Sequence, residues 1–172
     1  FARELEDRRG VHFSGALLVD GLISYHPLCS FPRAPLDPAV MDRIAFARQE
    51  GAPPLAETFP GAANPEFVIA GADRAFYHAL AVLSGNFAAH LWNETAKAFE
   101  ARLGLKPETV LAPYLEGVAA RFAESPLDSL TGRVARRDGA SARANLEALA
   151  DTPRLEALYR AFLASAWPDF RP

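Results

Sequence analysis

Proline placement limits this chain more than any other feature. Pro27, Pro32, Pro35, Pro38, Pro53, Pro54, Pro60 and Pro65 all fall between residues 27 and 65. Each lacks an amide hydrogen and clashes with the turn before it, so no long helix can form there. Short extended pieces fit instead. Val11 to Phe13, Leu22 to Tyr25, Ile44 to Ala47 and Phe67 to Ala70 are apolar runs of strand length bounded by Gly, Pro or Asp. Helical signal in this part is confined to Asp37 to Asp42 and Ala52 to Thr58.

The pattern changes at Asp73. Phe76, Leu80, Leu83, Phe87 and Leu91 recur at steps of three and four, which predicts one helix running to Leu103 and stopped by Gly104. Such a helix would be roughly 45 Å long. A second helix opens with Pro107 in its first turn and uses Leu111, Leu115, Val118 and Phe122, with Pro113 set to kink it. A third begins near Asp138 or Ser141, and a fourth at Thr152 as N-cap with Pro153 following. The stretch SPLDSLTGRVARRDG between the second and third is too rich in turn formers and charge to be helical throughout. Strands lead and helices follow, so the expectation is an α+β chain with a β-containing part over 1–71 and an all-helical part over 72–172.

Totals narrow the function classes. Half of the 172 residues are hydrophobic and 23% are charged, as in a soluble globular protein. No apolar run approaches the roughly 20 residues that cross a bilayer, and no export signal stands at the front, so a cytoplasmic protein without membrane contact is expected. A net charge of −3 gives no footprint for nucleic acid. Cys29, the single cysteine, excludes an internal disulfide and reads as a small buried residue rather than a nucleophile. No metal-ligand spacing is present, so no metal is expected. The chain opens on FARELEDRRG, without Met and as if in mid-helix, which reads as a fragment or as a mature chain whose front has been removed.

Four stretches carry polar groups that could do chemistry. In YHALAVLSGNF, helical geometry lines up His78, Val82 and Gly85, with Tyr77 and Ser84 on a neighbouring line. Asn86, His90, Asn93 and Lys97 form another stripe, which a solvated helix face also explains. Gly85 costs about 1 kcal/mol relative to alanine in a helix. Either a ligand or another backbone approaching it accounts for its presence; in the second case His78 and Ser84 would bond nearby carbonyls. SYHPLCSFP sets His26 at the carboxyl end of a strand, where open α/β sheets bind ligands. HFSGAL places His12 and Ser14 at a strand end and turn, and LTGRVARRDG offers Thr131, Arg133, Arg136 and Asp138, whose guanidiniums suit an anionic group.

HFSGAL, SYHPLCSFP, IAFARQEG with PLAETFPGAANPEFVI, YHALAVLSGNF and LTGRVARRDG, in that order, resemble a family of Rossmann-like oxidoreductases with an uncharacterised helical C-terminal domain. That family is similar in layout to pyrroline-5-carboxylate reductase and to deazaflavin-dependent NADP oxidoreductases, whose second domains resemble that of 6-phosphogluconate dehydrogenase. The resemblance implies the last strands of a nucleotide domain and a helical domain that dimerises and closes over a small substrate, with NADP or NAD as cofactor. It implies a cofactor side of His12, Ser14 and His26, catalytic roles for His78, Ser84 and Asn86, and substrate contacts from Tyr77, Thr131, Arg133, Arg136 and Asp138. The G-x-G-x-x-G fingerprint is absent from these residues. The alternative is a non-catalytic helical dimerisation or ligand-binding module, in which the same polar groups bridge subunits.

Overall fold

The computed structural model describes residues 10–132 and 136–171. Their packing separates into two compact units, one ending at Ala88 and one beginning at Ala89. The architecture is mixed α+β, an open four-stranded sheet followed by helices.

In the first unit β1 (Gly10–His12), β2 (Leu22–Pro27), β3 (Phe46–Gln49) and β4 (Glu66–Ile69) lie side by side in chain order. β1 runs parallel to β2, β2 antiparallel to β3, and β3 parallel to β4. Every strand falls within two residues of the stretch expected for it. Short helices α1 (Pro38–Met41) and α2 (Leu55–Thr58) take the two helical pieces expected among the prolines, and the Asp37 carboxylate caps α1 by accepting from the Ala39 amide at 2.7 Å.

The two-residue period of β2 divides its side chains between two environments. Ile23 and Tyr25 face an apolar cluster with Ala52, Leu55 and Phe59. Tyr25 is completely buried, and its hydroxyl donates to the Pro53 carbonyl at 2.8 Å while the Thr58 hydroxyl lies at 2.7 Å. Ser24 and His26 face the other way. Parallel pairing of His12 with Ser24 places His12 on the same face, so one side of the β1–β2 pair is a polar surface.

Helix α3 (Arg74–Val82) starts beside that surface. The apolar spacing predicts an unbroken α-helix to Leu103, but the structure departs from it. A widened π-type turn over Leu83–Phe87 separates α3 from α4 (Ala88–Leu103). The inserted turn coincides with Leu-Ser-Gly-Asn-Phe, where glycine and short polar side chains resist a wider backbone least.

Gly104, at a φ of +66°, ends α4. The second unit continues with α5 (Pro107–Val110), α6 (Ala112–Glu124), α7 (Gly139–Ala148) and α8 (Pro153–Ala166). Pro113 has the expected effect, since the helical run breaks at Leu111 and restarts as α6. Asp138 caps α7, its carboxylate accepting from the Ser141 amide at 3.1 Å and hydroxyl at 2.7 Å. Thr152 stands at the start of α8 but does not cap it: its hydroxyl donates back to the Leu149 carbonyl at 2.9 Å. Ala142, Leu146 and Leu163 make the buried cluster joining α7 and α8, with Tyr159 and Phe170 at its edge. Among the described residues, no helix is long and apolar enough to cross a membrane.

Candidate active site

Parallel β1 and β2 both finish at one end of the sheet, and there the polar face meets α3. His26, second from the end of β2, shares a hydrogen bond between its Nδ1 and the Tyr77 hydroxyl at 2.7 Å. Its ring lies 6.0 Å from that of His78, tilted by 67°. Tyr77 also packs edge-on against Phe67, at 5.8 Å between ring centres, which fixes the phenol from behind. One turn of α3 and one strand end thus bring together a phenol and two imidazoles.

These groups border a cavity of about 530 Å³. Leu28, Leu80 and Val82 supply apolar wall, and Cys29, half-buried, lies on the same wall. The widened turn contributes Ser84, Gly85 and Asn86. Among the described residues neither His78 nor Ser84 has a hydrogen-bond partner, and a Cβ on Gly85 would meet nothing within 4 Å. Within the first unit Gly85 thus has open space beside it, and His78, Ser84 and Asn86 border the cavity.

Beneath the imidazoles runs the Ser14–Gly15 turn. A Cβ at Gly15 would stand 2.5 Å from His78 Cδ2 and 2.8 Å from His26 Nε2, so only a glycine lets both rings approach. The Ser14 amide donates to His12 Nδ1 at 3.3 Å. When His12 is neutral, its proton must then sit on Nε2, which is buried without a partner.

Arg74, first residue of α3, holds the turn. The side chain is 2% exposed; one guanidinium nitrogen, Nη2, donates to the Ser14 carbonyl at 2.9 Å and to the Ser24 hydroxyl. Ser24 in turn donates to the Ser14 carbonyl at 3.1 Å. The other two nitrogens, Nε and Nη1, are buried and unpartnered, and no carboxylate among the described residues pairs with Arg74. Burial, then the charge of His78, then that of Arg74 lower the pKa of His26 below the usual histidine value; burial and then Arg74 do the same to His12. Burial pushes the Tyr77 phenol upward, offset in part by Arg74. At neutral pH the site therefore holds uncharged imidazoles at His12 and His26, a protonated phenol and one fixed cation.

His12, Ser14, His26, Tyr77, His78, Ser84 and Asn86 thus all lie in the first unit. His26, Tyr77, His78, Ser84 and Asn86 share the cavity, while His12 and Ser14 belong to the turn beside it. In the second unit Thr131 and Arg136 are exposed, Asp138 caps α7, and Arg133 lies outside the described residues. Three contributors escaped the sequence reading: Arg74, Ser24 and the steric role of Gly15. The alternation in LISYHP, which puts Ser24 and His26 on one face, was the available signal for Ser24. No group of three or more His, Cys, Asp or Glu able to hold a metal occurs among the described residues.

Comparison with known proteins agrees with this architecture. Protein TM1727 from Thermotoga maritima is 27% identical and superposes with a TM-score of 0.76, over 93% of this chain and 68% of that one. The putative NADP oxidoreductase BF3122 from Bacteroides fragilis, at 21% identity, gives a TM-score of 0.76 over 96% of this chain and 68% of its own, a likeness of fold. No curated protein sequence matches. A family model described as a domain of unknown function, DUF2520, matches residues 47–166, and the chain therefore belongs to the DUF2520 family.

Proposed function

We propose that this chain carries the substrate-side half of an NAD(P)-dependent oxidoreductase acting on a small molecule with a C=O or C=N group. The observation that carries the reading is the His26–Tyr77 hydrogen bond at the wall of a cavity that also exposes His78. The likeness in fold to a protein named NADP oxidoreductase supports it. What the residues present could offer such a cofactor is limited to its nicotinamide end: the side chains of Ser84 and Asn86 border the cavity as hydrogen-bonding groups that a carboxamide would suit, whereas no glycine fingerprint for the pyrophosphate occurs. We assign that part to chain outside these residues.

Bound reduced nicotinamide supplies a hydride; the chain's own groups handle the proton. With a neutral imidazole and a neutral phenol 2.7 Å apart, one proton lies between them and one more faces outward. If Tyr77 donates to Nδ1, the spare donor is His26 Nε2–H. If Nδ1–H donates to Tyr77, the spare donor is the phenol. When Nε2–H passes its proton to a substrate oxygen or nitrogen, the phenol proton moves to Nδ1 and leaves a phenolate, which takes a proton from solvent to restore the neutral pair. His78, Ser84 and Asn86 then orient the substrate or a water in the same cavity. Thr131, Arg133, Arg136 and Asp138 are our candidates for contacts to an anionic part of the substrate.

A homodimer is part of the reading. Phe76 and Leu83, 68% and 57% exposed, with Leu80 and Phe87, form an apolar stripe too large to leave in water. For the helical part, the 6-phosphogluconate dehydrogenase type is the proposed relative. The test is titration of the complete natural gene product with NADPH and NADH, followed by turnover of small ketones, oxoacids and imines. Nucleotide binding, with reduction of one such substrate and oxidation of the nucleotide, is expected. Absence of binding to the complete protein would favour a non-catalytic module.

A further inference from the structure

We propose that Arg74 is the positioning residue of this site: by gripping the Ser14 carbonyl and the Ser24 hydroxyl, it fixes the Ser14–Gly15 turn as the stop against which His26 and His78 are set. The inference deepens the catalytic reading and rests on it for its meaning, but its geometry stands independently.

Three observations support it. The grip is short-range and redundant, because Arg74 and Ser24 both donate to the Ser14 carbonyl and Arg74 also donates to Ser24. The turn so held is in contact with both rings, since nothing larger than hydrogen fits between Gly15 and the atoms His26 Nε2 and His78 Cδ2. The third is the cost. A guanidinium in a residue 2% exposed, with Nε and Nη1 unpartnered, carries a desolvation penalty, and an apolar side chain of like volume would fill the space without it. One nitrogen does all the bonding, so a neutral donor would tether the turn equally well. The retained charge therefore acts on its surroundings.

Those surroundings are titratable. From α3, His26 faces Tyr77, His78 and Arg74, and Cys29 shares its cavity wall; His12 faces Arg74 across the Ser14 peptide. A cation paired with no carboxylate among the described residues disfavours a second positive charge on either imidazole, in line with the lowered His12 and His26 values. It also favours a substrate oxygen that gains negative charge. Position and charge are separate contributions, and two substitutions divide them. Arg74→Gln keeps a donor but removes the charge. Ser24→Ala keeps the charge but removes two of the three hydrogen bonds of the grip.

The experiment follows histidine ring resonances through a pH titration by NMR, together with amide exchange across residues 12–16, in the 172-residue chain. It needs neither nucleotide nor substrate, so its outcome is independent of whether the oxidoreductase reading holds. In Arg74→Gln the His12 and His26 midpoints are expected to move upward. In Ser24→Ala those midpoints stay, while amides 12–16 exchange at least about tenfold faster, as for a loss of about 1.4 kcal/mol. If Arg74→Gln does not fold, the Ser24→Ala result decides alone. Unmoved midpoints in a folded Arg74→Gln, or unchanged exchange in Ser24→Ala, overturn the proposal.

Discussion

Gly15→Ala is the most informative single change, because its consequence follows from two distances. Gly15 is not in the left-handed region, so alanine brings no backbone strain, only a methyl group. That methyl would lie 2.5 Å from His78 Cδ2 and 2.8 Å from His26 Nε2, against the 3.4 Å at which ordinary contact begins. His78 must retreat by about 0.9 Å and His26 by about 0.6 Å. Both obstructing atoms are ends of side chains, so the fold survives and the rings move. A His26 displaced by that much strains its 2.7 Å bond to Tyr77, lengthening it to about 3.3 Å at most. Weakening that bond and crowding the rings costs about 1–3 kcal/mol, or a melting point lower by roughly 2–12 °C for a chain of this size. Activity suffers more, since misplacing a reacting group by about 1 Å costs on the order of 100-fold in rate. Thermal unfolding, His26 ring shifts and turnover of the complete protein measure the three effects. A variant with unaltered ring resonances and full activity refutes the reasoning that Gly15 sets the imidazoles.

Other substitutions and conditions test separate parts. Tyr25→Phe strands the Pro53 carbonyl and the Thr58 hydroxyl in the sheet's apolar cluster, so denaturant unfolding should show a loss of about 1–3 kcal/mol without a change in nucleotide binding. His12 and His26 bind protons less readily folded than unfolded, so stability should be constant above the unfolded value of 6.5 and fall as the pH drops below it; melting points measured between about pH 8 and pH 5 read this, and a flat profile contradicts the burial of uncharged imidazoles. Leu83→Asp puts a charge in the exposed apolar stripe and should convert a dimer to monomer in light scattering, with secondary structure retained. Arg102→Ala removes an exposed pair with Asp151 at 2.8 Å and should cost less than about 1 kcal/mol.

Legibility in the sequence followed how local each signal was. Strand positions were readable because the prolines and alternating apolar residues act over a few residues. That the polar groups of YHALAVLSGNF stand out from their apolar neighbours was also readable, but the sequence left open whether they meet a ligand or another helix, and the cavity lined by Ser84, Gly85 and Asn86 became visible only with the fold. The interruption at Leu83–Phe87 was not, because Phe76, Leu80, Leu83, Phe87 and Leu91 keep helical spacing on either side of it and periodicity averages over one extra residue. Thr152 shows the limit of cap rules: its position was right, yet its hydroxyl bonds backward to Leu149. Arg74 escaped altogether. Nothing in GADRAF distinguishes a buried arginine from a solvated one; only the pairing of His12 with Ser24, a contact between distant residues, creates the face it binds.

In the proposed reaction the Tyr77–His26 pair delivers the proton to a substrate reduced by nicotinamide. Tyr77→Phe in the complete natural protein tests it most directly, because only the hydroxyl is lost and the ring contact with Phe67 remains. Unchanged NADPH affinity and a turnover lower by about 100-fold or more, the usual contribution of a general acid, are expected. Turnover equal to that of the unsubstituted enzyme would contradict proton delivery by the pair.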